Sequence, residues 1–189
     1  MQTQQVRVHG RGGQGVVTAA EIIALAAFES GRQAQAFPSF GVERTGAPIQ
    51  AYARLSEKPI LIREQVQKPD IVIVQDASLL SLPEILAGTD PRTKFIINSP
   101  KSPLELSKDF GSTKNAPKAG QISTVDATGI ALKILKKNIT NTVILGTFAR
   151  ATGLISLADL KTAVALKFSG KDEALIKNNQ EAVTMAYNI

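Results

Sequence analysis

Seven residues near the start, His9-Gly10-Arg11-Gly12-Gly13-Gln14-Gly15, narrow the folds open to this chain more than anything else in it. Before them, residues 5–9 alternate, with valines at 6 and 8, the period-two pattern of a strand. After them, Val16 to Ser30 is rich in Ala, Ile and Leu, and Gly31 is placed to end a helix. A strand must therefore turn at once into a helix. Gly10, Gly12 and Gly15 keep the G-x-G-x-x-G spacing, with Gly13 as an extra glycine inside it. Such a turn lets backbone approach an anion closely, and the helix N-terminus behind it supplies free N–H groups and partial positive charge. Arg11 is placed to add charge. The Gly-Lys-Ser/Thr ending of a P-loop is absent, which sets an NTPase aside.

A dinucleotide site asks for more. It normally carries an acidic residue at the end of the second strand to bind the ribose. Here that strand reads Gln33-Ala34-Gln35-Ala36-Phe37, without an acid. From these residues alone three readings stand: an anion-binding turn, a turn required only for tight packing, and a free-standing nucleotide-binding module or NAD(P)-dependent dehydrogenase.

The remaining pattern describes the architecture. Ile49 to Leu55 alternates as a strand, with Ile60 to Arg63 as its expected hairpin partner across Glu57-Lys58-Pro59. Asp70 to Gln75 and Lys94 to Asn98 are apolar runs of the kind buried on both faces of a parallel sheet. A helix or turn is expected over about Ser78 to Leu86, interrupted by Pro83, and a surface excursion over Pro100 to Gly120. Gln121 to Val125 reads as a strand, and Asp126 opens a helix to about Lys137. Helices follow over Thr142 to Thr152, Ser156 to Phe168 and Lys171 to Tyr187. The expected fold is a Rossmann-like three-layer α/β sandwich. Its sheet is mostly parallel, with a hairpin insertion and a helical C-terminal tail, and residues 1–189 form a single domain.

Composition excludes several chemistries. With no cysteine among 189 residues, the chain cannot form disulfides, thiolate zinc sites or iron–sulfur ligation of its own. One histidine excludes a multi-histidine metal centre, and His9 reads as a satisfied residue at a strand end. The formal charge of +6 favours anionic partners. Aromatics at 5% with no Trp, and no helix-turn-helix or RNP pattern, argue against nucleic acid. No stretch reaches the roughly 18 apolar residues of a membrane span. The first five residues lack a basic flank and an apolar core, so a cytoplasmic location is expected. Lys133, Lys136 and Lys137 fall at the end of a helix, where its dipole favours cations, and Lys161, Lys167 and Lys171 read as a solvated face.

A second segment joins the second and third strands: Phe37-Pro38-Ser39-Phe40-Gly41-Val42-Glu43-Arg44-Thr45-Gly46-Ala47-Pro48. Together with the glycine turn and a strand ending Ala53-Arg54-Leu55-Ser56, it resembles the gamma subunit of the 2-oxoacid:ferredoxin oxidoreductases. The Glu-Arg-Thr-Gly-Ala-Pro form is most similar to the pyruvate-specific branch. The likeness runs on through Pro69 to Val74, Leu145-Gly146, Ala151 to Leu154 and Lys167 to Lys171, and so covers nearly the whole chain. It implies one subunit of a multi-subunit enzyme that oxidatively decarboxylates a 2-oxoacid, makes acyl-coenzyme A and passes electrons to ferredoxin or flavodoxin. Thiamine diphosphate, Mg2+ and [4Fe-4S] clusters would belong to the alpha, beta and delta subunits or their fused equivalents. The chain agrees in having no cysteine and no thiamine-binding Gly-Asp-Gly motif. The resemblance implies no catalytic residue here, but a shared coenzyme A site. Gly10, Gly12, Gly13 and Gly15 would give close approach, Arg11 charge and Gln14 a neutral hydrogen bond. Glu43, Arg44 and Thr45 would face partner subunits or the coenzyme A tail.

Overall fold

The computed structural model describes residues 3–39, 45–111, 113 and 115–189. Six strands form one sheet in the order β2-β3-β1-β4-β5-β6. They are β1 (Gln4–Arg11), β2 (Gln33–Pro38), β3 (Pro48–Ser56), β4 (Ile71–Val74), β5 (Lys94–Asn98) and β6 (Ile122–Val125). The pairings β1–β4, β4–β5 and β5–β6 are parallel. Only β3 runs against its neighbours, pairing antiparallel with both β1 and β2.

Strand alternation builds a layer on each face. Val6, Val8, Ile71, Ile73, Ile96 and Val125 point into a core shared with α1 (Val16–Glu29), α4 (Ala127–Ile134), α5 (Ile144–Thr152), α6 (Leu157–Lys167) and α7 (Glu173–Asn188). Their neighbours Val72, Val74, Phe95, Ile97 and Ile122 pack on the other face, against α2 (Pro83–Leu86) and α3 (Pro103–Asp109). The expected three-layer α/β sandwich is the fold found. Because β4, β5 and β6 are buried on both faces, they read as unbroken apolar runs.

Two expectations need correction. Ile60 to Arg63 is not a strand. Both edges of β3 are already taken, by β1 and β2, so the hairpin partner is β2 and no edge remains for a third strand. Residues 57–70 run as irregular backbone, and Leu61 is 87% exposed. The excursion over 100–120 contains α3, which begins at a capping box. Ser102 accepts from the Glu105 N–H while the Glu105 carboxylate accepts from the Ser102 N–H, and Pro103 opens the first turn.

On the face of β1, β3 and β2 opposite α1, the strands carry polar residues rather than aliphatic ones. Register aligns Arg7 with Tyr52, His9 with Gln50 and Gln5 with Arg54. Arg54 donates to Gln5 Oε1 (3.1 Å), Gln35 Oε1 (3.3 Å) and the Glu64 carbonyl, and stacks over Phe37 at 5.2 Å. The irregular stretch carrying Glu64 thus covers this half of the sheet, with Val66 buried beneath it.

Candidate functional site

The helix after β1 lies on one face of the sheet and those after β4 and β5 lie on the other. The crevice between the carboxyl ends of β1 and β4 is therefore the topological switch point, where open α/β sheets bind ligands. The glycine turn forms one wall and the end of β4 the other.

Each glycine has its own reason to be there. A Cβ on Gly10 would stand 2.5 Å from Val16 Cγ2, so its absence lets α1 close onto β1. Gly13 (φ +92°) and Gly15 (φ +70°) hold left-handed conformations that side chains disfavour. A Cβ on Gly15 would also overlap the Asn141 amide, which donates to the Gly15 carbonyl at 3.3 Å. Gly12 is bound into the sheet's margin, its N–H donating to the Ala47 carbonyl (2.9 Å) and its carbonyl accepting from Gly46 (3.1 Å). Only Gly13 is both exposed and free of neighbours where a side chain would project. Behind the turn, α1 starts without any side-chain cap.

Arg11 does not stand free. Its guanidinium donates from Nε to Asp76 Oδ2 (2.9 Å), and from its two terminal nitrogens to the Gly46 carbonyl (3.0 Å) and Ser78 Oγ (2.8 Å). Gln14 folds back, accepting from the Arg11 N–H (2.8 Å) and donating to Asp76 Oδ2 (3.3 Å). Ser78 donates to the other Asp76 oxygen through its N–H (3.0 Å) and its hydroxyl (2.6 Å). Burial raises the Asp76 pKa, but the bonds from Ser78, Gln14 and Arg11 outweigh it and hold the carboxyl below its ordinary value. This cluster clasps three segments: the turn, the loop entering β3 and the end of β4.

Of the residues expected at the site, Gly10, Arg11, Gly12, Gly13, Gln14 and Gly15 converge here. Thr45 is exposed beside Gly46 at the rim. Glu43 and Arg44 lie outside the described residues. Sequence reasoning treated Asp76 only as the end of a strand. Its signal was positional, an acid directly after a doubly buried strand at the carboxyl edge. Gln75 and Asn141 gave no signal. Gln75 is 1% exposed, and among the described residues neither of its amide atoms has a hydrogen-bond partner. Its Oε1 approaches the Cβ position of Gly10 to 3.2 Å, alongside Gln14 Oε1 at 3.1 Å.

His9 is buried one residue below the turn and accepts from Arg7 Nε through Nε2 at 2.9 Å. Burial, with the Arg7 cation second, pushes it down to about 3, so at neutral pH it is an uncharged acceptor. Arg7 itself is pushed down to about 10 by burial, partly offset by Tyr52. Among the described residues no group of three or more His, Cys, Asp or Glu could hold a metal ion, and no helix is long and apolar enough to cross a membrane.

Comparison with known proteins gives a consistent result. The family described as pyruvate ferredoxin/flavodoxin oxidoreductase matches residues 5–189. The pyruvate/ketoisovalerate oxidoreductases common subunit gamma of Thermococcus kodakarensis is 48% identical over 184 residues, 97% of this chain and 95% of that one. Pyruvate synthase subunit PorC of Methanocaldococcus jannaschii is 44% identical, with the same coverage. The crystal structure of pyruvate oxidoreductase subunit PORC from Thermotoga maritima superposes with a TM-score of 0.84 at 34% identity, covering 100% of this chain and 97% of that one. A 2-oxoglutarate:ferredoxin oxidoreductase chain from Magnetococcus marinus, solved with 2-oxoglutarate, coenzyme A and succinyl-CoA bound, shares the fold. The TM-score there is 0.76 at 21% identity, and the match covers all of this chain but 31% of that one.

Proposed function

We propose, from the premise that this chain belongs to the pyruvate ferredoxin/flavodoxin oxidoreductase family and is a gamma subunit of such a complex, that it supplies one wall of the coenzyme A site. The observation that carries this reading is the glycine turn at the switch-point crevice. The backbone is exposed at Gly13, α1 has no side-chain cap, and the loop holding Thr45 stands at the rim. A free-standing dehydrogenase finds no support in the same crevice. The acid present, Asp76, lies on β4 and is spent on Arg11, Gln14 and Ser78.

The chemistry belongs elsewhere in the assembly. Iron–sulfur clusters do not fit this chain, which has no cysteine to ligate them. Its histidine is buried and uncharged at neutral pH. Partner chains, the alpha, beta and delta subunits or fused equivalents, would hold thiamine diphosphate, Mg2+ and the clusters and deliver electrons to ferredoxin or flavodoxin. The Magnetococcus chain, in which this fold is a minor part, fits the idea of a module fused to such partners. The whole of residues 1–189 then acts as one gamma domain. Thiamine diphosphate supplies the carbanion chemistry when bound. This chain's residues bind and orient the acyl acceptor.

Hydrogen exchange on the intact complex tests the site. Coenzyme A should slow exchange in peptides covering residues 10–18 and 45–48, whereas the 2-oxoacid alone should not. Unchanged exchange in both peptides at saturating coenzyme A would remove the site from this subunit.

A further inference from the structure

We infer that the part of coenzyme A lying over the glycine turn is its uncharged pantetheine arm, not its phosphates. This deepens the coenzyme A reading and rests on it. The turn has the spacing of a phosphate cradle, but its electrostatics are not those of one. The cation that would meet a phosphate, Arg11, is already neutralised by Asp76 at 2.9 Å, and its other donors are spent on Ser78 and the Gly46 carbonyl. The Gly12 N–H is committed to the Ala47 carbonyl. The Asp76 side chain keeps 23% of its surface exposed, so a phosphate lowered onto the turn would meet a carboxylate.

What the crevice does offer is neutral and amide-like. Gln14 presents a carboxamide on the turn itself. Gln75, behind Gly10, holds a buried amide whose donor and acceptor are both without a partner among the described residues. Gly13 leaves open space above its backbone. Pantetheine is a slender chain with two secondary amides, each one donor and one acceptor, and needs no counter-charge. Buried amides are best matched by such groups, since an unmet donor or acceptor is costly. Arg11 and Asp76 are then positioning residues: their clasp fixes Gln14 and the 45–48 loop while cancelling the charge. The phosphates would lie away from the turn, and the thiol end would point past it.

Inhibition by two fragments of coenzyme A, competed against coenzyme A in the purified complex, tests this. The fragments are pantetheine and adenosine 3′,5′-bisphosphate. Gln14→Leu should raise the KM for coenzyme A and the Ki of pantetheine by the same factor, about 5- to 30-fold, the scale of one or two lost hydrogen bonds. The Ki of the bisphosphate should not move. Asp76→Asn, which loosens the clasp, should act in the same direction on pantetheine. Ser78→Ala is the milder variant if either fails to assemble, as judged by gel filtration. If the variants change the bisphosphate Ki and not that of pantetheine, with Asp76→Asn tightening it, the inference falls while coenzyme A stays at the turn. If neither fragment nor coenzyme A responds in an intact complex, the coenzyme A reading itself falls, and the inference with it.

Discussion

At the residue scale, His9 makes the fold sensitive to acid. Its folded pKa of about 3 lies below the ordinary value near 6.5, so the unfolded chain binds the extra proton between those limits. The stability from burying the neutral ring is full above about 6.5 and is lost progressively as pH falls towards 3. Urea unfolding of the isolated chain from pH 7 to 4 should therefore show a loss of a few kcal/mol. His9→Gln, which keeps an acceptor for Arg7, should flatten that slope. Asp76 adds a separate loss at lower pH, because its folded pKa is depressed and its contribution disappears as the carboxylate is protonated. The glycines allow a graded comparison. Gly15→Ala combines a left-handed φ with overlap on Asn141 and should cost about 1–3 kcal/mol. Gly13→Ala, with strain but open space, should cost about 1 kcal/mol. Equal losses in thermal unfolding would contradict that assignment.

At the scale of elements, α5 and α7 meet at Gly146. A Cβ there would run into the Val183 carbonyl and stand 2.8 Å from the Tyr187 N–H, both backbone atoms that cannot rotate away. Thr147 next to it donates to the Ala186 carbonyl at 3.0 Å. Gly146→Ala should therefore force the helices apart and cost about 1–3 kcal/mol, seen as faster amide exchange in α7. Ser102→Ala, removing the cap of the short α3, should cost about 1 kcal/mol. These elements also show where pattern reading works. Val6 and Val8, the doubly apolar Ile71–Val74 and the cap at Ser156 each state a local geometry, and the structure has it. The run Ile60 to Arg63 looks like a strand but lacks an open edge to pair with, and only the sheet order reveals that. The Ser102-Pro103-Leu104-Glu105 capping box was legible, yet hidden in a stretch whose Pro, Ser, Lys and Gly suggested irregular backbone. At the candidate site the glycines and Arg11 stood out because their spacing is local. Asp76 and Gln75 were invisible because they arrive from more than 60 residues away, and a polar residue after a strand has no signature of its own.

At the scale of the whole molecule, a gamma subunit with no cysteine and no metal-ligating cluster among its described residues cannot carry out the redox steps by itself. The purified chain, given pyruvate, coenzyme A and a viologen, should reduce no dye. Tagged in its native cell, it should bring down larger chains that contain iron, sulfide and thiamine diphosphate. Turnover by the chain alone, or its recovery without such chains, would contradict the division of labour proposed for it. The face of β1–β3–β2 opposite α1 bears on the same point. It is held by amides, arginines and a covering stretch rather than by aliphatic packing, and Leu61 projects from that cover into solvent.

The reversed strand β3 also decouples the loop at the crevice from the rest of the architecture. Because it sits between β1 and β2, the 39–47 connection emerges at the carboxyl edge, directly beside the glycine turn. Its two ends are pinned by the Ser39 N–H on the Gln50 carbonyl and by the reciprocal bonds between Gly12 and residues 46–47. Between those pins the connection can lengthen, shorten or change chemistry without disturbing a single strand pairing. The scaffold thus behaves as a socket with an interchangeable lip, and one sheet can serve acyl-transfer assemblies with different oxoacids by exchanging a handful of residues at its rim.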